Sequence, residues 1–415
     1  MTTGTTSRVP ATRRGHPALS ALVSVPVEEF SQRYWGSEPL VSTSDELTGD
    51  PTGLLAAAAV DELVSRRALR TPFLRVAKEG RTLGDAEFTQ GGGVGAEIAD
   101  QVSDDKLLRL FGAGATIVLQ GLHRTWRPVI AFSQDLSEEL RHPVQVNAYV
   151  TPSQSRGFGD HYDVHDVFVL QTVGEKRWRL HPPVHASPLR DQPWTGHQRH
   201  VEAAAREEPS HEFTLRPGDC LYLPRGWLHS ATALGGVSVH LTIGVHVWTR
   251  WHLADELVSL ALRSVSTDPD LRASLPVGVD VGSVSDVGKE VEVVRAALVA
   301  ALQSAPAQQV AAALDDRWRG ASRAEPIGPL AQVATAELLV PETRLRLREH
   351  LAARLDHQQD GSVRLVSRAG VFTASGDDAT AVADLMAGGY RRADVIGMDL
   401  ARRLLRAGVV VVPEP

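Results

Sequence analysis

The spacing of apolar residues along the chain changes twice, and the changes divide it into regions with different predicted structures. Between residues 144 and 247, short runs rich in β-branched and aromatic residues are separated by turn signals. The runs are VQVNAYVT, DVFVLQTV, KRWRLHPP, HEFTLRPG, CLYLP and VSVHLTIGVHV. Closely spaced strands of this kind predict a small barrel or sandwich. The preceding residues, 27–143, mix short helical patterns with isolated strands.

After Trp248 the period becomes that of a helix. The stretches WHLADELVSLALRSV and GKEVEVVRAALVAALQSA carry apolar residues three or four positions apart. These residues are Leu253, Leu257 and Leu260 in the first stretch and Val291, Val294, Leu298 and Leu302 in the second. Helical patterns continue through QVAAALDDRWRG, LAQVATAELL and ETRLRLREHLAARL. We therefore predict an all-helical region over residues 249–350, which either packs onto the barrel or forms a dimer interface.

Residues 351–415 have the pattern of a separate small unit. The runs SVRLVSR and AGVFTAS predict two strands, DATAVADLMAGG and RRADVIGMDLARRLLRAG predict two helices, and VVVVP predicts a closing strand. This order is compatible with a winged-helix module. The second helix carries several arginines, but a few arginines on one helix are more typical of a solvated face than of a DNA reader.

The composition is that of an ordinary globular protein, with 43% apolar and 22% charged residues in a chain of 415. A chain of this length exceeds one compact core, so two or three domains are expected. The net charge of −7 gives no global electrostatic basis for binding nucleic acid, and such binding is not expected. The one cysteine, Cys220, excludes an intrachain disulfide and suits a reducing compartment.

The beginning of the chain has some features of a targeting signal, because Arg13 and Arg14 precede the apolar run 18–25. That run is short, contains two serines and is closed by Pro26. We therefore predict a disordered tail over residues 1–25. No stretch reaches the roughly 18 apolar residues that a membrane span needs. A cytoplasmic protein without membrane contact is the expectation.

The candidate chemistry begins in GFGDHYDVHDVFVLQTVGEKRWRL, where His161 and Asp163 stand two positions apart before a predicted buried strand. In a strand, residues i and i+2 point to the same side, so both side chains could chelate one ion while Tyr162 faces away. Alone, this pair is weak evidence, because a histidine beside a core is more often hydrogen-bonded than metal-bound.

A second motif strengthens the metal hypothesis. PGDCLYLPRGWLH combines Gly218, Pro224 and Gly226 with His229, an arrangement that would present the histidine at a barrel mouth. The alternative is a strand and turn with an incidental histidine. Two imidazole nitrogens and one carboxylate oxygen form the facial triad of non-heme Fe(II) oxygenases, whereas zinc prefers closed tetrahedral sites. Three protein ligands leave three positions free, two for a bidentate 2-oxo acid and one for dioxygen.

Residues 144–248 resemble the cupin-like JmjC oxygenases, and among them the ribosomal oxygenase group. The resemblance rests on NAYVTPSQSRGFGDHYDVHDVFVLQTVGEKRWRL, LRPGDCLYLPRGWLHSA and VHLTIG. Four-ligand cupins carry a glutamate after the first histidine pair, seven residues before a glycine. Counted back from Gly174, that position is Val167 here, which favours a three-ligand iron site. The metal ligands and catalytic residues that the resemblance implies are His161, Asp163 and His229.

The resemblance also implies a cosubstrate pocket. In this family a basic residue on the strand after the H-x-D pair binds the distal carboxylate of 2-oxoglutarate, and by position that residue is Lys176, although it could instead belong to a turn. The other pocket positions implied are Asn147, Tyr149, His240 and Thr242. The alternative for these four is an ordinary polar lining of a wet barrel lumen. His240 is also a rival to His229 as third ligand.

The implied fold class is α+β. A double-stranded β-helix barrel of the cupin/JmjC type would occupy residues 26–248, followed by an all-helical dimerisation domain over 249–350 and a winged-helix domain over 351–415. A homodimer is expected from this plan. In this family the terminal winged helix is not thought to read DNA, which agrees with the acidic balance of the chain.

The implied function is that of an Fe(II)- and 2-oxoglutarate-dependent dioxygenase that uses O2 to hydroxylate a protein side chain, a histidine or arginine of a ribosomal protein. A hydroxylase of a free amino acid, a small peptide or a natural product is the first alternative. A non-catalytic cupin-type binding protein is the second. Asp160 and Asp166 are candidates for acidic groups at the mouth that would attract a basic target.

Overall fold

The computed structural model describes residues 16–413 and the backbone of the strand Thr6–Arg8. The chain divides into two compact units. One unit combines the residues up to Val247 with those from Arg323 onward, and the other is Trp248–Ser322. In the described part of the chain, no helix has both the length and the apolar character needed to cross a bilayer.

The secondary structure mixes short strands with helices of very different length. The strands, numbered in chain order, are β1 Thr6–Arg8, β2 Leu40–Ser42, β3 Leu74–Lys78, β4 Arg81–Thr82, β5 Thr89–Gln90, β6 Gln101–Val102, β7 Thr116–Leu119, β8 Val144–Thr151, β9 Asp166–His181, β10 His211–Leu215, β11 Cys220–Leu223, β12 Leu228–Val245, β13 Arg344–Leu347, β14 Arg354–His357, β15 Val363–Ser367, β16 Gly370–Ala374, β17 Arg391–Arg392 and β18 Val410–Val411. The α-helices are α1 Pro17–Ser20, α2 Val27–Glu29, α3 Ala57–Arg66, α4 Asp104–Gly112, α5 Leu122–Thr125, α6 Arg127–Leu140, α7 Gln198–Ala204, α8 Arg250–Val265, α9 Val284–Ser304, α10 Ala307–Ala321, α11 Pro329–Glu337, α12 Asp377–Met386, α13 Ala393–Ile396 and α14 Met398–Arg406.

The predicted region of closely spaced strands forms most of a 9-stranded antiparallel sheet, the main sheet. Its order is β2-β11-β9-β12-β8-β7-β3-β4, and β10 also pairs with β9. The long strands β9 and β12 lie at the centre and pair with each other along most of their length. The runs DVFVLQTV and KRWRLHPP, which the sequence analysis separates, are both parts of β9. A second antiparallel sheet has the order β1-β14-β15-β16, and β13 pairs with β17 and β18.

The strand β9 is apolar on both faces, which explains its continuous apolar sequence. Phe168 and Leu170 are buried in the largest hydrophobic core of the unit, whereas Val167 and Val169 are buried in a smaller core with Trp178. The side chains of neighbouring residues in a strand point to opposite faces, so the sheet is covered on both sides at this point. The central strands are therefore packed on both faces, and they hold in place the residues just before β9 and at the start of β12.

The helix predicted over residues 342–355 is wrong, because this segment forms the strands β13 and β14. Its apolar residues also fit a period of two, and Leu351, Ala353 and Leu355 are all buried. His350 and Ala352 have positive φ values of 56° and 48°, which a right-handed helix excludes. The predicted all-helical region over 249–350 therefore ends in a strand.

Two further boundaries differ from prediction. The tail predicted over residues 1–25 is too long, because Leu19 and Leu22 are buried in the largest core and α1 begins at Pro17. Residues 1–5 and 9–15 of that predicted tail lie outside the described residues. Near the C-terminus, the predicted second helix is divided into α13 and α14 by Gly397, whose φ of 96° interrupts the helix.

The unit Trp248–Ser322 consists of α8, α9 and α10, with α9 and α10 each packed against α8. Its buried apolar side chains are Ala261, Ala301, Val310 and Trp318. Many other large apolar side chains are exposed. These are Trp251, Leu253, Val258, Leu262, Leu275, Val277, Val281, Val284, Val291, Val293, Val294 and Val299. The helices were predicted correctly, but much of their apolar surface is uncovered in one chain.

Candidate active site

The structure brings His161, Asp163 and His229 together, as the motifs predict. Each offers one ligand atom, and these atoms all lie within 4.8 Å of one another. His229 Nε2 is 3.9 Å from Asp163 Oδ2. The backbones of the two histidines form an isolated antiparallel bridge, in which His161 N donates to His229 O at 3.2 Å and His229 N donates to His161 O at 2.9 Å. The loop before β9 is thereby fastened to the first residues of β12.

The residue between the two ligands of the H-x-D pair faces away, as expected. Tyr162 is only 1% exposed and packs with Val201 and Leu228, and its hydroxyl donates to Gln192 O at 3.0 Å. His161 itself forms a single bridge pair, and regular strand begins only at Asp166. Tyr162 thus points away from His161 and Asp163, as in a strand, although the regular strand does not extend to these residues.

Backbone carbonyls orient both imidazole rings. His161 Nδ1 lies 2.8 Å from Gly159 O, and His229 Nδ1 lies 3.1 Å from Trp227 O. A carbonyl oxygen only accepts, so each Nδ1 carries the proton and donates it, and each Nε2 keeps its lone pair. An outer hydrogen bond of this kind fixes the tautomer and the ring of a metal-binding histidine.

The turn that precedes β12 requires glycine at position 226. Gly226 has a φ of +89°, and a Cβ there would lie 2.7 Å from His185 O. Its N–H donates to Asp163 O at 3.0 Å. The turn therefore contacts the backbone of Asp163 and lies three residues before His229. The Pro-x-Gly motif is therefore needed for the backbone to pass this closely.

The electrostatics favour the metal-binding forms of these side chains. Burial, and after it the nearby His161, lowers the pKa of His229 to about 4, so its imidazole is neutral at physiological pH. Burial raises the pKa of Asp163, but the electrostatic influence of its neighbours His165, His229 and His161, followed by Arg75, outweighs burial and lowers the pKa. A carboxylate and a neutral imidazole are therefore present together.

The donor set fits a divalent cation with an open coordination shell. Two nitrogens and one oxygen are the ligands of the facial triad, and in the described residues this is the group of three side chains that could hold an ion. Val167 stands where four-ligand cupins carry glutamate, and it lines the same cavity with 1% exposure. An apolar side chain therefore stands where a four-ligand cupin has its glutamate ligand.

A small cavity extends from the triad towards Lys176. Lys176 is only 4% exposed, and its Nζ lies 3.3 Å from Thr151 Oγ1 and 3.5 Å from His240 Nδ1. Burial lowers its pKa to about 7. No carboxylate in the described part of the chain pairs with this ammonium group. A buried cation without an anion is suited to an anionic ligand.

Three of the other four predicted pocket residues line this cavity. The rings of Tyr149 and His240 stack with centroids 5.1 Å apart, and Thr242 follows His240 by two positions on β12. Burial, and after it Lys176, lowers the pKa of His240 well below its ordinary value. His240 lies outside the group that could hold an ion, so the triad contains His229 and not its rival. Asn147 does not line this cavity, and its Oδ1 accepts from Gly121 N at 3.1 Å.

A second, larger and more polar cavity of about 280 Å³ lies beside the first and shares Tyr149, Asp163 and Thr242 with it. The remaining lining residues are Arg75, Gln120, Gly121, His123, Gln145, Asn147 and His165. The sequence analysis missed Arg75, which lies on β3, far from the motifs along the chain. Only the pairing of β3 with β7, and of β7 with β8, carries this residue to the site. His165 was visible in the motif, but nothing in the sequence indicated its orientation.

The two acidic residues expected at the mouth have other roles. Asp166 is fully buried and accepts from Tyr222 Oη at 2.6 Å and from Arg225 Nη1 at 3.2 Å. It therefore fixes the start of β9 to the next turn and is not available to a substrate. Asp160 is partly exposed and forms an ion pair with Arg156 at 2.5 Å. The expectation of an acidic mouth is wrong for Asp166.

Residues 124–253 match the family model described as JmjC domain. This region contains the triad, Lys176 and the strands β8–β12, so the site lies in the part of the chain that is similar to JmjC domains, and the fold is of the JmjC/cupin type. The resemblance to the JmjC oxygenases that the motifs indicate is therefore confirmed.

More particularly, the chain is similar to ribosomal oxygenases. Ribosomal oxygenase 2 of Bos taurus is 41% identical over 135 residues, which are 31% of this chain and 28% of that protein. Ribosomal oxygenase 2 of Rattus norvegicus is 30% identical over 275 residues, 62% of this chain and 53% of that protein. The matches thus span between about a quarter and a half of these relatives.

Among solved structures, the Escherichia coli ribosomal oxygenase YcfD has the same fold. Its complex with cobalt and 2-oxoglutarate superposes with a TM-score of 0.53 at 15% identity and covers 94% of this chain and 99% of YcfD. At this identity the likeness concerns the fold.

Proposed function

We propose that this protein is an Fe(II)- and 2-oxoglutarate-dependent dioxygenase that hydroxylates a side chain of a ribosomal protein. One observation carries the proposal: two imidazoles and a carboxylate converge at one end of a cavity whose other end holds the Lys176 ammonium, which forms no ion pair with a carboxylate of the described residues. The names of the relatives and the cobalt and 2-oxoglutarate complex of YcfD support it.

Each residue of the site has a defined task in this proposal. His161, Asp163 and His229 hold the iron through Nε2, a carboxylate oxygen and Nε2. When bound, the iron supplies the means of activating dioxygen for oxidation of an unactivated C–H bond. The reaction balances as 2-oxoglutarate, O2 and R–H giving succinate, CO2 and R–OH, with one oxygen atom in the hydroxyl group and one in succinate.

Lys176 would bind the distal carboxylate of 2-oxoglutarate. Its ammonium is directed by Thr151 Oγ1 and His240 Nδ1, both of which can accept from it. Because His240 is neutral, it can accept a hydrogen bond from Lys176, and Lys176 remains the cation at this end of the pocket. The ring stack of His240 on Tyr149 and the edge contact with Trp178 keep water from this end of the pocket.

Mass spectrometry of ribosomal proteins from cells with and without this gene tests the substrate class. We expect one ribosomal protein to carry a single added oxygen in the wild type and to lack it in the deletion strain. Restoring the gene with Asp163→Ala should not restore the added oxygen. If no ribosomal protein changes while the purified enzyme still releases succinate, the alternative of a small-molecule or peptide hydroxylase is the correct one.

We further propose that the chain forms a homodimer through the helices α8 and α9. The exposed apolar side chains of Trp248–Ser322 support this, because a second copy of the same face would cover them. Residues 351–415 would form the winged-helix domain, and their strands β14–β16 and helices α12–α14 are compatible with it. A role there in DNA binding is not part of the proposal, since Arg392, Arg402 and Arg403 each pair with an aspartate.

The cytoplasm is the proposed compartment. The support comes from Cys220, which is fully buried, so that the chain offers no exposed thiol in its described part.

A further inference from the structure

Arg75 is a charged group in the active-site wall that the roles above do not use. It lines the second cavity together with Asp163, whereas Lys176 lines the first. Its Cζ lies 5.5 Å from the centroid of the Phe158 ring, and Phe158 lines the first cavity. The guanidinium is therefore held at the junction of the two cavities by the fold, since β3 is paired on both of its edges.

The hydrogen-bonding capacity of Arg75 is not used up within the described residues. Its Nε is buried without a hydrogen-bond partner, its guanidinium hydrogen-bonds to the Tyr149 side chain, and none of these residues forms a carboxylate ion pair with it. The positive charge that Arg75 brings to this cavity wall is therefore not neutralised by an ion pair. The neighbouring side chains Gln120, Gln145 and Asn147 are uncharged amides that can both donate and accept.

The charge balance of the loaded site follows from the lining residues. Arg75 and Lys176 are the cations of the two cavities and Asp163 is the carboxylate. A divalent metal and the dianion of 2-oxoglutarate cancel each other. The loaded site would therefore carry about one net positive charge, and Arg75 places part of it in the wall of the second cavity.

We propose that Arg75 is a specificity-determining residue, which admits an uncharged target side chain with a hydrogen-bond acceptor, such as an imidazole, and rejects a guanidinium or ammonium group. This inference rests on the proposed function and decides between the histidine and arginine targets that the motifs left open. A guanidinium would meet a like charge and find no carboxylate except the metal ligand, whereas a neutral imidazole meets no such repulsion and can hydrogen-bond to the amide side chains of the cavity wall.

The test uses three variants and two peptides. Arg75→Lys keeps the charge, Arg75→Gln removes it and Arg75→Glu reverses it. The peptides are identical glycine-rich sequences with histidine or arginine at the centre. Their binding to the full-length protein, loaded with cobalt and 2-oxoglutarate under nitrogen, is measured by calorimetry. Succinate release by the iron-loaded protein without peptide is measured in parallel.

We expect wild type and Arg75→Lys to bind the histidine peptide at least roughly 100-fold more tightly than the arginine peptide, and Arg75→Gln to reduce this preference to below about tenfold. Arg75→Glu should prefer the arginine peptide. The wild-type comparison alone is decisive if a variant does not fold. Equal binding of the two peptides, or binding of neither, by a wild type that releases succinate overturns the role of Arg75. Absence of iron-dependent succinate release overturns the proposed function itself.

Discussion

At the scale of single residues, the ammonium group of Lys176 connects the geometry of the pocket to its pH dependence. It is buried beside two neutral acceptors, and burial lowers its pKa to about 7. A bound carboxylate would favour the charged form and raise this pKa. Binding of 2-oxoglutarate above pH 7 must then take up a proton.

The affinity for 2-oxoglutarate is therefore predicted to fall as the pH rises above 7, by up to about tenfold per pH unit. His229 does not contribute to this change, because its pKa of about 4 leaves it neutral throughout the range. Calorimetric titration of the manganese-loaded protein between pH 6 and pH 9 measures the effect. In Lys176→Arg, which stays charged, the affinity should be independent of pH over the same range. A wild-type affinity that is equally flat would contradict the role of Lys176.

The sequence allowed the triad to be predicted because its members lie in two compact motifs. His161 and Asp163 share one motif and His229 ends the other, and each motif carries its own turn or strand signal. Arg75 could not be found in this way, since its place in the site depends on strand pairing. Asp166 was misjudged for a related reason, because its partners Tyr222 and Arg225 come from a later strand and turn.

At the scale of elements, the turn before β12 positions the site, and Gly226 is the residue that permits it. A side chain at this position would meet His185 O and the ring of Pro188, in addition to the strain of a positive φ. Gly235, in the middle of β12, has a similar φ of +67°, but a Cβ at that position would have no neighbouring atom within 4 Å. Substitution of Gly235 therefore tests backbone strain alone, whereas substitution of Gly226 tests strain together with a steric clash.

We predict that Gly226→Ala lowers the free energy of unfolding by roughly 3 kcal/mol and weakens metal binding at least tenfold, because the turn must move away from Asp163 and His229. Gly235→Ala should cost only about 1 kcal/mol and leave the metal affinity unchanged. Urea unfolding and calorimetry with Mn(II) measure the two quantities. Equal effects of the two substitutions would show that close approach at Gly226 is unimportant.

Most elements could be predicted from apolar spacing, and the exceptions have local causes. β9 was divided in two because Gly174 and Glu175 resemble a turn. Gly174 does have a φ of +64°, yet the strand continues through it, and a Cβ there would lie 2.2 Å from Val237 O. The segment 342–355 fits both periods, and positive φ values at His350 and Ala352 decided in favour of strands. The spacing of apolar residues does not indicate which residues adopt a positive φ.

At the scale of the whole molecule, the exposed apolar faces of α8 and α9 support the proposed homodimer. Val258 and Leu262 on α8 are 48% and 52% exposed, and Val291 and Val294 on α9 are 45% and 43% exposed. A monomer rarely leaves neighbouring side chains of this size in water.

We therefore predict that the wild type is a dimer at micromolar concentration and that the double substitution Val258→Glu with Leu262→Glu raises the dimer dissociation constant at least about 100-fold. Light scattering coupled to gel filtration measures the molar mass. Gln308→Glu, at an exposed polar position of α10, adds charge without removing apolar area and should remain dimeric. A monomeric wild type, or a double variant that is still dimeric, would contradict the proposed interface.

The central claim is that His161, Asp163 and His229 hold an iron that makes 2-oxoglutarate turnover possible. Iron-dependent succinate release by purified wild type and Asp163→Ala, with the exposed Asp191→Ala as matched control, tests it most directly. We expect succinate release by wild type and by Asp191→Ala, and a rate below roughly 1% of wild type for Asp163→Ala. Undiminished succinate release by Asp163→Ala, in a preparation that unfolds like the wild type, would contradict it.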